Sequence, residues 1–251
     1  MQLIHGDCLE KMKDIPDKSV DMILCDLPYG TTQNKWDSVI PFDLLWQQYN
    51  RITKENAAIV LFAVNPFTTD LICSQRNKFK YSMVWCKNVP TGMTSAKYRP
   101  MRYHEDILVF HDKQPTYNPI MKDRVGVGKD CYKYDHYCGA SNHVTLNKVK
   151  KRYDPDKVNP STLLTFNVVP NRNGKLHPTQ KPVDLCEYLI QTYSNDGDIV
   201  LDNCMGSGST GVACVHLNRQ FIGIEKDENY FHIAENRIIE ANNKKISDAS
   251  T

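Results

Sequence analysis

Two short loops in this chain carry residue types whose spacing can do chemistry. The first is Asp26-Leu27-Pro28-Tyr29. It combines a carboxylate, a backbone carbonyl stiffened by proline, and an aromatic face. An amine on an aromatic ring is a poor nucleophile because its lone pair is delocalised. A carboxylate and a carbonyl can accept its two N–H bonds and turn the lone pair toward an electrophile. Asp26 and the carbonyl of Leu27 or Pro28 suit those two roles, and Pro28 restricts the backbone by fixing φ. Tyr29 offers a platform on which a base can stack, worth about 1–3 kcal/mol. The same four residues also make an ordinary turn after a strand. Chemistry therefore needs a second loop to supply the electrophile.

That loop is Asp202-Asn203-Cys204-Met205 followed by Gly206-Ser207-Gly208-Ser209-Thr210-Gly211. The glycines fit GxGxxG, and Glu225 follows Gly206 by nineteen residues at the end of the next apolar run. This is the dinucleotide fingerprint as usually stated, so a dehydrogenase is a serious rival. Asp202 argues otherwise. A carboxylate four residues before the first glycine would repel a pyrophosphate but suits a cationic ammonium. Only one strand–helix–strand unit follows, leaving no second mononucleotide half. Close backbone approach at the glycines and a ribose acceptor at Glu225 survive in either reading. A plain glycine turn between strand and helix is the third.

The elements that must position these loops are legible. Apolar runs predict strands at Leu3–His5, Met22–Asp26, Ala57–Ala63, Ser82–Lys87, Asp106–His111, Asp198–Asp202 and Phe221–Glu225. Helical spacing predicts helices at Leu9–Ile15, Phe42–Arg51 and Thr68–Arg76, then from Pro182 to Tyr193, at Ser209–Leu217 and at Glu228–Ala241. A frayed polar tail is expected after Asn242. Alternating strands and helices imply an α/β fold with a mostly parallel sheet. From Lys113 to about Asn167 the periodicity fails and an insert is expected. Between Lys113 and Lys157 there are ten Lys/Arg against five Asp, interleaved with tyrosines.

Composition bounds the rest. The 251 residues suit one α/β domain with an insert, and 41% hydrophobic and 24% charged residues are those of a soluble globule. The longest apolar run, Ala57–Val64, has eight residues and cannot span a bilayer. Nine cysteines, an odd number, and no apolar signal core point to reduced thiols in a cytoplasm. A net charge of +2 does not by itself argue for nucleic acid.

With these residues in view, a family resemblance follows. Asp26-Leu27-Pro28-Tyr29 resembles the Asp-Pro-Pro-Tyr catalytic motif of DNA amino-methyltransferases. The strand into Asp202 and the loop through Ser209 resemble their cofactor motif, and His177-Pro178-Thr179-Gln180-Lys181-Pro182 closely matches a further element. The order, with the catalytic motif ahead of the insert and the glycine loop last, is similar to the circularly permuted β class. The resemblance implies a Rossmann-like S-adenosylmethionine-dependent methyltransferase fold, with residues 113–167 as an inserted target-recognition region. It implies methyl transfer from S-adenosylmethionine to a base flipped out of DNA, a stacked amine being out of reach. Asp at position 26 favours adenine N6. Cytosine N4, an RNA base, or a DNA-binding module with a degenerate site stay open.

The resemblance also implies roles. Asp26, Pro28 and Tyr29 are the catalytic set. Asp7 and Cys8 face the cofactor's adenine, Glu225 its ribose, and Thr179 and Lys181 its carboxylate; Asp202, Gly206, Gly208, Ser209 and Thr210 complete the cofactor site. His104-Glu105-Asp106 resembles an element near the target base. Leu27 and Asn203-Cys204 depart from the family pattern. In the insert, Lys148, Lys150, Lys151 and Arg152 are read as phosphate contacts to DNA. A second copy of the chain and a partner restriction endonuclease are left open as partners; a membrane is not expected. No metal is called for, because a sulfonium is already reactive, and Cys131, His136, Cys138 and His143 match no common zinc spacing. Trp36 reads as a lid residue or as packing against the sheet, and Cys25 as buried core.

Overall fold

The sheet is built where apolar runs alternate their side chains between two faces. In β2 (Val20–Asp26), Met22 and Leu24 enter one core while Ile23 and Cys25 enter the other. Both faces are therefore covered by helices, the arrangement that parallel strands require. The computed structural model describes residues 1–30, 37–123, 156–170, 176 and 179–249. They divide into a larger unit, Met1–Asn118 with Thr162–Thr251, and a smaller one, Pro119–Ser161.

In chain order the larger unit contains β1 (Gln2–His5), α1 (Cys8–Lys11), β2, α2 (Phe42–Ile52), β3 (Thr53–Ala63), α3 (Phe67–Ser74), β4 (Phe79–Thr91) and β5 (Arg102–Phe110). Within the smaller unit, β6 (Lys122–Asp123) pairs antiparallel with β7 (Lys157–Val158). The larger unit resumes with β8 (Leu163–Thr165), α4 (Val183–Tyr193), β9 (Ile199–Asp202), α5 (Ser209–His216), β10 (Gln220–Glu225) and α6 (Glu228–Ala249). The eight-stranded sheet has the order β1-β10-β9-β2-β3-β5-β4-β8. It is parallel from β1 to β3 and again between β4 and β8. It is antiparallel where β5 meets β3 and β4. One core lies against α4, α5 and α6, around Leu189, Val212 and Ile238. The other lies under α2 and α3, around Tyr49, Ile52 and Leu71. No helix among the described residues is long and apolar enough to cross a membrane.

The predicted strands and helices are all present, with three differences. The helix predicted over Leu9–Ile15 is one α-turn, α1, followed by a 3-10 turn at Met12–Asp14. The polar tail does not fray at Asn242, because α6 continues to Ala249. There Lys245 donates to the carbonyls of Val215 and His216 and to Asn218 Oδ1, which tie it to the carbonyl end of α5. The flanks of the expected 113–167 insert belong to the larger unit: Asn118 bonds to residues at the end of α4, and buried Leu164 lies on β8.

Candidate active site

Strands β9 and β2 are neighbours, but the chain leaves β9 toward β10 and leaves β2 toward β3. Beyond the carboxyl ends of two such strands a crevice must open. A cavity of about 440 Å³ lies there, large enough for a small-molecule ligand. Both loops singled out in the sequence meet in it.

On the β2 side, Asp26, Pro28 and Tyr29 line the cavity. Tyr29 donates its hydroxyl to Asp26 Oδ1 at 2.5 Å, and Phe67 backs its ring at 5.0 Å between centroids. The turn is held from behind, where the Gly30 N–H donates to Asp37 Oδ1 at 2.9 Å. The other carboxylate oxygen of Asp26 accepts from the ammonium of Lys181. Lys181 also lies 3.4 Å from Glu105 Oε2, and Glu105 Oε1 accepts from Lys87 at 2.8 Å. Asp26, Lys181, Glu105 and Lys87 thus form a chain of alternating charge. The two ammonium groups also sit over aromatic rings, Lys181 at 5.0 Å from Phe62 and Lys87 at 5.4 Å from Trp85.

Burial raises the Asp26 carboxyl above its ordinary range, although Lys181 opposes the shift. Burial alone would depress Lys181, but Asp26 and Glu105 outweigh it and hold the ammonium charged. Glu105 is likewise kept low, its two lysines overcoming desolvation. Lys181 was expected at the cofactor's carboxylate and Glu105 near the target base; both line the cavity, and there they engage this chain of charges. Lys87 was missed, its sequence signal being a lysine on a strand that buries its side chain to 2% exposure.

On the β9 side, Asp202 is buried, with Oδ2 accepting from the Thr210 hydroxyl at 2.6 Å and Oδ1 from the Cys204 N–H at 3.2 Å. Burial pushes its pKa up to about 6. Asp202 therefore also shapes the glycine turn. Beside it, buried Tyr49 donates to Asn203 Oδ1 at 2.6 Å, which occupies the residue that departs from the family pattern. Glu225 accepts from the N–H groups of Gly206 at 2.8 Å and Asp227 at 2.9 Å, leaving each oxygen a further lone pair. Asp7 caps α1 by accepting from the Leu9 N–H at 3.0 Å and pairs with Lys226 at 3.1 Å. Asp7, Cys8, Thr179, Gly206, Ser209 and Thr210 all line the cavity.

Gly208 does not line it. Its φ of +77° caps α5, and a Cβ there would lie 2.9 Å from Ala234 Cβ. A Cβ at Gly211 would lie 2.4 Å from Ile238 Cδ1. These two glycines serve the close packing of α5 on α6. Lys148, Lys150, Lys151 and Arg152, the four residues of the zinc spacing, Trp36, His177 and Pro178 lie outside the described residues.

The cavity fits a nucleoside carrying a charged amino acid. Glu225 offers lone pairs to a diol and Asp202 a carboxylate to an ammonium. The Ser209 hydroxyl is buried on the wall with no hydrogen-bond partner among the described residues. Among those residues no group of three His, Cys, Asp or Glu side chains could hold a metal ion.

Comparison with known proteins agrees with this geometry. The model of the DNA methylase family, N6/N4 methyltransferases, matches residues 20–236. The type II methyltransferase M.HpaI of Haemophilus parainfluenzae is 31% identical over 254 residues, which cover 94% of this chain and 74% of that protein. The DNA adenine methyltransferase YhdJ of Escherichia coli (strain K12) is 28% identical, over 94% of this chain and 82% of that one. Among solved structures, the complex of M1.HpyAVI with S-adenosylmethionine superposes with a TM-score of 0.63 at 27% identity, over 94% of this chain and 98% of that one. The cytosine-N4-specific PvuII DNA methyltransferase, 15% identical with a TM-score of 0.66 over 96% of this chain and 91% of that one, shares the fold. With a family match over most of its length and a site of this shape at the switch point of its sheet, the chain belongs to the DNA methylase family and is an S-adenosylmethionine-dependent DNA methyltransferase.

Proposed function

We propose that the acceptor is the N6 amine of an adenine flipped out of duplex DNA into the cavity beside Asp26. The observation that carries this reading is the Asp26 carboxylate held beside the Tyr29 ring on the wall of the cavity that Glu225 and Gly206 share. Bound S-adenosylmethionine supplies an electrophilic methyl group. Asp26 and the carbonyl at position 27 or 28 accept the amine's two N–H bonds and direct its lone pair at that methyl. Tyr29 stacks on the base. To do so it gives up its hydroxyl contact with Asp26, freeing that oxygen for the amine. Lys181 keeps Asp26 ionised against burial. Asp202, Glu225, Asp7 and Ser209 hold the cofactor around the glycine turn.

Adenine is favoured over cytosine by the aspartate at position 26 and by the adenine methyltransferase relative. The type II relatives support a cytoplasmic role beside a restriction endonuclease. The smaller unit, with the basic run at 148–152, is the region we assign to choosing the site; its local positive excess supports phosphate contact.

DNA from a host expressing the chain should contain N6-methyladenine by mass spectrometry, and a host expressing Asp26→Ala should not. The purified Asp26→Ala protein should still bind S-adenosylmethionine in calorimetry. N4-methylcytosine as the only modified base would overturn the acceptor assignment.

A further inference from the structure

The hairpin joining β4 to β5 is largely exposed, and its strands reach the cavity. From Cys86 to His104 the sequence has four Lys/Arg and no Asp or Glu. Its tip turns at Gly92, where φ is +95°, into a 3-10 turn at Met93–Ser95. Tyr98 is 89% exposed and Met93 74%, with Val89 and Tyr103 also exposed. Single exposed apolar residues are common, but several of them among cations on one hairpin mark a surface that meets a partner.

The register is irregular below the tip. Cys86 pairs with His104 and Thr91 with Arg102, so four residues of β4 lie opposite one of β5. Such an excess bends a hairpin out of the plane of its sheet. The base of the hairpin forms part of the cavity wall, through Lys87, Thr91 and Arg102. Arg102 Nε is buried with no hydrogen-bond partner, and no ion pair holds Lys97, Arg99 or Arg102 among the described residues. A guanidinium without a partner on the wall of a cavity suits an anion.

We propose that this hairpin is a strand-separating wedge for the DNA duplex. Lys97 and Arg99 contact phosphates beside the site, Arg102 takes the phosphate of the flipped nucleotide, and Tyr98 fills the gap the base leaves in the stack. Charge argues for DNA as the occupant, and so does the geometry, because the strands that carry the tip line the cavity that receives the base, through Lys87, Thr91 and Arg102. A ring inserted between base steps replaces the stacking lost on flipping. The proposal rests on flipping of the acceptor base but not on whether that base is adenine.

The test uses the full-length protein and a short duplex carrying the site that methylation mapping identifies, either fully paired or with the target base mismatched. Tyr98→Ala should lower kcat/KM on the paired duplex by roughly five- to hundredfold. On the mismatched duplex, where the base is already unstacked, it should stay close to wild type. The fluorescence rise of 2-aminopurine at the target position should shrink in parallel. Replacing Lys97 and Arg99 together with Ala should reduce the salt slope of duplex binding by about two, at roughly 0.9 per contact. Melting temperature and S-adenosylmethionine affinity, measured on each variant, should be unchanged and so exclude a folding defect. Equal losses on the two duplexes would overturn the wedge, and an unchanged salt slope would overturn the phosphate contacts. A cytosine product would sink the acceptor assignment alone, since the contrast between paired and mismatched duplex would still report on Tyr98.

Discussion

Lys181 stands between two carboxylates, and that position governs what Asp26 can do. Asp26 must be ionised to accept from an amine, yet its burial favours the neutral acid. Lys181→Met removes the opposing ammonium, so the Asp26 pKa climbs further. Turnover should fall by at least about tenfold, and the acidic limb of the kcat–pH profile should move to higher pH. Lys181→Arg should restore part of the rate. A variant that instead loses only S-adenosylmethionine affinity would return Lys181 to the cofactor's carboxylate. Asp202 has a different electrostatic setting, since hydrogen bonds from Thr210 and Cys204, more than a paired ammonium, oppose its burial. Its pKa rises from 3.8 to about 6 in the fold, so the native state binds the extra proton between those values. Stability due to this group is therefore highest below about pH 4, falls as pH rises to about 6, and stays lower above by roughly 3 kcal/mol. Melting curves of wild type and Asp202→Asn should diverge over that window and run parallel above it, with the variant the more stable. Its S-adenosylmethionine affinity should nevertheless be weaker, because the ammonium loses a charged acceptor. Asp26, Tyr29, Asp202, Gly206 and Glu225 were legible because each lies at or just past the carboxyl end of a readable strand. The Asp26–Lys181 pair was not, because 155 residues separate them and only the strand order brings them together.

Elements show the same division between what periodicity reveals and what packing decides. The glycine pattern announced that α5 begins where a Cβ cannot be tolerated, but not which neighbour forbids it. At Gly206 the site is involved, since its N–H serves Glu225 on the cavity wall. At Gly208 and Gly211 the neighbour is α6. Gly211→Ala should cost about 1–3 kcal/mol through overpacking, and Ile238→Val in the same chain should recover part of it. S-adenosylmethionine affinity measured well below the melting temperature should change little; a large loss of affinity without destabilisation would mean that the cofactor, not α6, requires the glycine. The far end of α6 was misread for a related reason. Its polar composition suggested fraying, and composition cannot show that Lys245 would find the exposed carbonyls of α5. Likewise β8 lay hidden in a stretch without periodicity, because an edge strand of three residues, Leu163–Thr165, gives almost no pattern.

At the scale of the whole molecule, the chain order and the order of strands disagree. Both Asp7 and Asp26 come from the first 118 residues, whereas Lys181, Asp202 and Glu225 come from the last 90, counted from Thr162. The segment between them, Pro119–Ser161, belongs to neither part of the sheet. Central strands β2 and β9 therefore zip together two polypeptide stretches that each carry half a binding site. Opened inside the smaller unit, this protein becomes a two-piece system. Neither fragment should bind S-adenosylmethionine, whereas co-expressed fragments should purify together and bind it with a single site in calorimetry. Binding by the C-terminal piece alone would show that the glycine turn suffices. If binding needs both pieces, fusing each to one member of an interacting pair would make methyl marks on DNA a covalent record that two proteins had met.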